Sequence, residues 1–219
     1  MTTALITGAN RGIGLCLAQQ LAERGVDLIA AVRRSSPELD ALGARVEALD
    51  VADDASCENL ARRLEGTPID LLIHNAGLLE RTSLDAPDFA AVRRMFEVNA
   101  LGPLKLTVAL RNNLKAASKV AIITSRMGSI ADNDSGGAYG YRMSKAAVNA
   151  VGKSLAVDLA EAGVAVALLH PGWVRTGMTR HTGHLEPAES ARGLLARIDA
   201  LTLETSGTFW HQNGEVLPW

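Results

Sequence analysis

Aromatic side chains make up only 4% of the 219 residues, which leaves little from which to build a base-stacking platform for nucleic acid. A dominant charge is missing as well. The 22 basic and 24 acidic side chains leave a net charge of −2, with no electrostatic footprint for nucleic acid or an anionic membrane. No apolar run reaches the ~20 residues that a bilayer-spanning helix needs. Cysteine is scarce: Cys16 and Cys57 share no metal-ligand or redox spacing and read as reduced, mostly buried thiols. The opening "MTTALITGAN" runs straight into a strand and a glycine turn, with no basic leader or cleavage site, and so predicts a cytoplasmic protein. Linkers, repeats and low-complexity tracts are also missing. Residues 1–219, 47% hydrophobic, therefore predict one domain with one sizeable core.

What is present is an alternation. Short apolar runs at 4–7, 27–32, 45–49, 70–74, 119–124, 164–170 and 207–210 predict strands. Between them, segments 12–24, 53–65, 88–116, 139–162 and 187–200 carry apolar residues at spacings of three and four and predict helices. The runs are apolar on both faces, as buried parallel strands are. Strand–helix alternation of this kind predicts an α/β fold, a doubly wound, mostly parallel Rossmann-type sheet with helices on both faces.

The first strand–helix corner carries Gly8, Gly12 and Gly14 in "TGANRGIG". Glycine there lets a pyrophosphate approach backbone amides that a Cβ would shield, and the start of the helix favours an anion. The spacing differs from G-x-G-x-x-G, and no Gly-Lys-Ser/Thr follows as in a P-loop. A plain strand–helix connection is the alternative.

Further pieces follow in order: "DV" (50–51), "NAG" (75–77), "NALG" (99–102), "SRMG" (125–128), "YRMSK" (141–145) and "PGWVRT" (171–176). Together with the glycine turn they resemble the short-chain dehydrogenase/reductase family over nearly the whole chain. The tail and compact length are similar to its C-factor-like and sniffer-type carbonyl reductase branch. The resemblance implies dinucleotide contacts from Gly8, Asn10, Arg11, Gly12, Ile13 and Gly14 in the turn. It also implies adenine contacts from Asp50 and Val51, and a close approach to the ribose by Asn75, Ala76 and Gly77. Pro171 and Gly172 would turn the backbone toward the nicotinamide, with Val174 and Thr176 orienting its carboxamide or a phosphate.

The end of the second strand separates the two nicotinamide cofactors. An acid there binds a ribose 2′-hydroxyl, and a base accepts a 2′-phosphate. "AAVRRSS" places Arg33 and Arg34 there and no acid, with Arg11 near by. This favours NADP(H) over NAD(H), against the alternative that the pair is merely solvated. For Asp50 the alternative is a cap on the helix at 53–65.

The chemistry centres on Tyr141 and Lys145. Residues advance ~100° around an α-helix, so a spacing of four stacks the two on one face. Tyr139 points elsewhere. A neighbouring ammonium favours phenolate and predicts a Tyr141 pKa below the usual ~10, hence a general acid/base near neutral pH. Lys145 also falls where the family grips the nicotinamide ribose. Ser125 sits at the carboxyl end of the fifth strand, where an open α/β sheet places its crevice. It is the candidate to hold a carbonyl against Tyr141, with Ser129 as its rival. Asn99, a poor helix former inside a long helix, is implied by the resemblance to support the proton path.

His74 reads as a strand residue. His181 and His184 lack a third ligand, so no metal is expected. The resemblance places a short substrate lid at about 178–187 and a homo-oligomer surface, dimer or tetramer, on 88–116 and 139–162. On the first of those helices Leu101, Leu104, Val108 and Leu110 could face either a partner or the sheet. The resulting expectation is an NADP(H)-dependent oxidoreductase acting on a small-molecule carbonyl or alcohol. The rival is a dinucleotide-binding signalling protein with little turnover.

Overall fold

The computed structural model describes residues 2–219. Seven strands, all parallel, form one sheet: β1 (Thr3–Thr7), β2 (Asp27–Val32), β3 (Arg45–Ala48), β4 (Ile69–His74), β5 (Leu114–Ile123), β6 (Ala165–His170) and β7 (Thr208–His211). Their order is β3-β2-β1-β4-β5-β6-β7. The chain therefore builds outward from β1 to one edge, returns to lay β4 on the other side of β1, and continues to the opposite edge. The reversal lies between β1 and β4. That is the switch point at which doubly wound sheets open a crevice beyond the strands' carboxyl ends.

Period-two alternation sorts the core. Ala4 and Ile6 of β1 and Leu71 and Ile73 of β4 join one apolar layer, with Leu17, Leu21, Leu194 and Ile198 from α1 (Gly12–Glu23) and α7 (Pro187–Asp199). Leu5 and Leu72 face the other layer. There they meet α3 (Asp54–Arg63), α5 (Gly102–Leu110) and α6 (Tyr139–Asp158) through Leu60, Leu106 and Val148. A four-residue helix, α2 (Pro37–Asp40), is absent from the periodic pattern because it is a single turn. Ser36 starts it by accepting from the Leu39 amide at 3.3 Å. Among the described residues no helix is long and apolar enough to cross a membrane.

The predicted helix 88–116 is not continuous. It divides into α4 (Phe89–Phe96), a π-helical turn at Glu97–Leu101, α5, and a 3-10 turn at Arg111–Asn113. Pro103 is the physical reason for the break after Asn99. It has no N–H to give the carbonyl of Asn99, its i−4 partner in an α-helix. The Gly102 amide bonds instead to the Glu97 carbonyl, five residues back. β5 also starts earlier than the predicted 119. Ala117 takes a left-handed φ of 70°, and the pairing with β4 shifts register between Ile69 and Leu71, which hides the strand's start from a pattern search. Of the residues considered for a partner surface, Leu110 is fully buried in the core and Leu104 packs against it, whereas Val108 is exposed. The predicted helix 139–162 ends at Asp158.

Candidate active site

Gly8 takes a left-handed φ of +67° as β1 ends. A Cβ on Gly14 would meet the Gly8 carbonyl and the Asn75 amide nitrogen, so the helix start packs tightly against the turn. Asn75 Nδ2 donates to the carbonyls of Thr7 (3.0 Å) and Gly8 (3.1 Å). The Thr7 hydroxyl accepts from the amides of Asn75 and Ala76, both at 3.0 Å. These four bonds lock the "NAG" loop to the glycine turn across the switch point. Arg11 and Ile13 lie in the same corner, and the Arg11 side chain makes no capping bond to α1. The first amides of α1 thus have no side-chain acceptor from the cap position.

Asn10 Nδ2 donates to the Arg34 carbonyl at 3.0 Å, which draws the segment after β2 beside the turn. Arg33 and Arg34 are both exposed there. Asp50 accepts from the Ala52 amide at 3.1 Å. It does not cap α3, because Asp53 does so through the Ala55 amide. Val51 is buried under Gly102, whose Cβ would lie 3.0 Å from that of Val51. Thr176, in the loop after β6, brings its methyl within 3.4 Å of a Cβ at Gly12. The turn containing Pro171, Gly172 and Val174 therefore arches toward the glycine corner.

Ser125, Tyr141 and Lys145 meet below this cradle. Ser125 lies two residues beyond β5 and starts the 3-10 turn Arg126–Gly128, its hydroxyl accepting from the Met127 amide at 3.2 Å. A Cβ on Gly128 would sit 2.7 Å from the Lys145 carbonyl, so the serine turn rests directly on α6. Tyr141 and Lys145 share one face of α6, with Lys145 Nζ 5.7 Å from the Tyr141 ring centroid. Nζ donates to the Ile123 carbonyl at 2.9 Å. All three side chains are buried.

Burial changes the expected electrostatics. It pushes the Tyr141 phenol up to about 12, with a smaller offset from the Ser125 hydroxyl, and pushes Lys145 down to about 8. The lowering of Tyr141 expected from an adjacent ammonium is outweighed by the cost of burying a phenolate. Tyr141 is accordingly a protonated phenol at neutral pH.

Asn99, 1% exposed, has its whole amide engaged. Oδ1 accepts from the Leu78 amide at 2.7 Å, and Nδ2 donates to the Leu78 carbonyl at 2.8 Å and to Ser144 Oγ at 3.0 Å. Ser144 Oγ in turn donates to the Tyr141 carbonyl at 2.8 Å. The side chain thus fastens the loop after β4 to α6, while the π turn leaves the Asn99 carbonyl without its α-helical donor.

A cleft of about 320 Å³ opens over Ser125 and Tyr141, walled by Ile13, Pro171, Gly172, Val174, Thr176 and Met178 among others. Residues 178–187 fold back on the turn after β6: Trp173 Nε1 donates to the Thr182 carbonyl and the His184 amide to the Trp173 carbonyl. His181 and His184 are exposed, and no cluster of three metal-ligating side chains occurs among the described residues. His74 is buried in β4, shares a hydrogen bond with Thr107 and is pushed down to about 3 by burial. Ser129 serves structure, accepting from the Asp132 amide and donating to the Trp219 carbonyl.

Sequence reasoning missed Thr7, Ser144, Arg126, Arg142 and His170. Thr7 and Ser144 act through hydrogen bonds to residues distant in the chain, and no local pattern marks them. The other three are cleft residues adjacent to motif positions Ser125, Tyr141 and Pro171, and that adjacency was the available signal.

A family model described as short chain dehydrogenase matches residues 2–186. The chain is 43% identical over its full length to the full length of a 1-hydroxy-2-glutathionyl-2-methyl-3-butene dehydrogenase of Rhodococcus sp. (strain AD45). It is 46% identical to C-signal of Myxococcus xanthus over 69% of this chain and 93% of that protein. Among solved structures, the NADPH-bound carbonyl reductase from chicken fatty liver superposes with a TM-score of 0.89 at 29% identity. That match covers 100% of this chain and 99% of the other.

Proposed function

The chain belongs to the short-chain dehydrogenase family, and from that membership we propose that it is an NADP(H)-dependent oxidoreductase interconverting a carbonyl and a secondary alcohol. The observation that carries this reading is that buried Ser125 and Tyr141 line one cleft with Ile13 of the glycine turn, while buried Lys145 sits behind the phenol, its Nζ 5.7 Å from the ring centroid. Supporting the cofactor are the Gly14 position, where a Cβ has no room, and two exposed arginines after β2. The chicken enzyme binds NADPH.

When bound, the reduced nicotinamide supplies the hydride. Ser125 donates to the carbonyl oxygen and fixes it against Tyr141. Tyr141, protonated at neutral pH, gives its phenolic proton to that oxygen, which suits the reductive direction. Lys145 provides positive charge beneath the phenol and holds the ribose hydroxyls. The Asn99 carbonyl accepts from a water that returns a proton toward Lys145. Asp50 and Val51 receive the adenine, Asn75–Gly77 the adjoining ribose, and Val174 and Thr176 the carboxamide. Residues 178–187 act as a short lid. The protein works in the cytoplasm as a homo-oligomer, joined through exposed apolar side chains of α4 and α6 such as Phe89, Phe96, Met143 and Val157.

The direct test is a fluorescence titration with NADPH, followed by loss of reduced-nicotinamide absorbance on adding aldehydes and ketones. The reverse reaction is assayed with alcohols, a glutathionyl alcohol included because the Rhodococcus relative is named for one. Tight NADPH binding with no turnover across the panel would replace this reading with a regulatory one, as the similarity to C-signal suggests. Arg33→Ala should raise the KM for NADPH about tenfold, the worth of one charge-assisted contact to the 2′-phosphate, and should leave the NADH constants nearly as they were. Equal losses with both cofactors would remove Arg33 from phosphate recognition.

A further inference from the structure

The cleft over Ser125 and Tyr141 is mostly apolar, with Ile13, Leu79, Met127 and Met178 in its wall, yet it also carries Arg126, Asp132 and Arg142. Arg126 is neutralised: it pairs with Asp132 and, at 2.9 Å, with Glu215. Arg142 pairs with no carboxylate among the described residues. Its Nε donates to the Gly136 carbonyl at 3.3 Å and its Nη2 to Ser135 Oγ at 2.8 Å, while Nη1 is shut off from solvent with no partner. A guanidinium is always charged, and its planar fork of N–H groups matches a carboxylate. Both bonded acceptors are neutral, so the charge itself is uncompensated beside an apolar wall, which is costly in isolation and becomes favourable when an anion arrives. His170, also in the wall, is pushed down to about 3 by burial and so brings no competing positive charge.

We propose that the cleft selects carbonyl substrates that carry a carboxylate, and that Arg142 is the specificity residue that receives it. The inference rests on the oxidoreductase reading. Tyr141 and Arg142 both line this cleft, so a substrate whose oxygen meets the phenol occupies a space that Arg142 also borders. One uncompensated guanidinium charge suits one singly charged group better than a phosphate dianion.

The test compares 4-carboxybenzaldehyde with its neutral methyl ester at saturating NADPH, and titrates both into the protein by calorimetry. The wild type should show a kcat/KM for the acid about tenfold above that for the ester, the scale of one charge-assisted contact. Arg142→Gln should bring the ratio close to one, chiefly by raising the KM of the acid. Arg142→Lys, which keeps the charge without the fork, should retain part of the preference. A ratio near one in the wild type overturns the proposal. So does a preference that survives in Arg142→Gln, or an equal loss on both substrates, which would make Arg142 a staple for the 135–136 loop only. If neither aldehyde is turned over but the acid alone binds, and does so through Arg142, the specificity stands and the oxidoreductase reading falls.

Discussion

Tyr141→Phe should lower kcat for carbonyl reduction on the order of 1,000-fold, within the range that a positioned general acid contributes. It should leave the affinity for NADPH within a few-fold. The substitution removes one hydroxyl and nothing else. The phenol oxygen is the only proton donor proposed for the substrate oxygen, while the ring still fills its place in the cluster with Ala91 and Met95. A loss of activity in kcat with intact cofactor binding is the signature of an interaction made in the transition state. Single-turnover rates and a fluorescence titration measure the two quantities separately. Near wild-type turnover would end the Tyr141 mechanism and shift attention to Ser125 as the donor.

Lys145→Met should separate activity from stability. Activity should drop 100-fold or more, because the cation beneath the phenol and the grip on the ribose are both lost. Stability should follow a different course with pH. Lys145 titrates near the ordinary lysine value of 10.5 in the unfolded chain and at about 8 in the fold. Between those values the unfolded chain holds more protons, so stability rises with pH across this window. The contribution is fully present above about 10.5 and is lost as pH falls through 8. At ~1.36 kcal/mol for each tenfold difference, the whole gap is about 3 kcal/mol. Tyr141 acts in the opposite sense and higher up. Raised to about 12, its contribution is present below 10 and lost as pH climbs through 12, so it does not intrude between 8 and 10. Denaturant unfolding of both proteins from pH 7 to pH 10 should show the wild type gaining on the variant by most of that 3 kcal/mol. At pH 7 the variant should be about as stable as the wild type or more so. Removal of a buried ammonium offsets the Ile123 carbonyl left without its donor, itself a cost of about 1–3 kcal/mol. Parallel curves for the two proteins would mean that the lysine is not desolvated as the fold implies.

The architecture was legible because its signals are local. Short continuous apolar runs, a glycine corner and helical spacing each depend on a dozen neighbouring residues, and six of the seven strands came within two residues of their bounds. The exception, β5, holds Ala117 in a left-handed conformation near its start, with a register shift there, which no apolar pattern encodes. Asn99, a poor helix former, is a weak cause of the break beside it. Pro103, four residues on, is the stronger cause, since it removes a backbone donor.

The site was legible as a set of residues and much less so as an environment. The identity of the glycine turn, Ser125 and the Tyr141–Lys145 pair came from short motifs in order, and the i, i+4 spacing alone put tyrosine and lysine on one face. The state of those groups came from elsewhere. Asn99 meets Ser144 across 45 positions, and Thr7 meets Ala76 across 69. Desolvation sums over every atom packed around a group, whatever its place in the chain. This is why the linear order of residues named the acid, while three-dimensional packing set its proton affinity upward where a neighbouring lysine had suggested downward. It is also why an arginine inside a motif stands in the cleft wall with no carboxylate partner among the described residues.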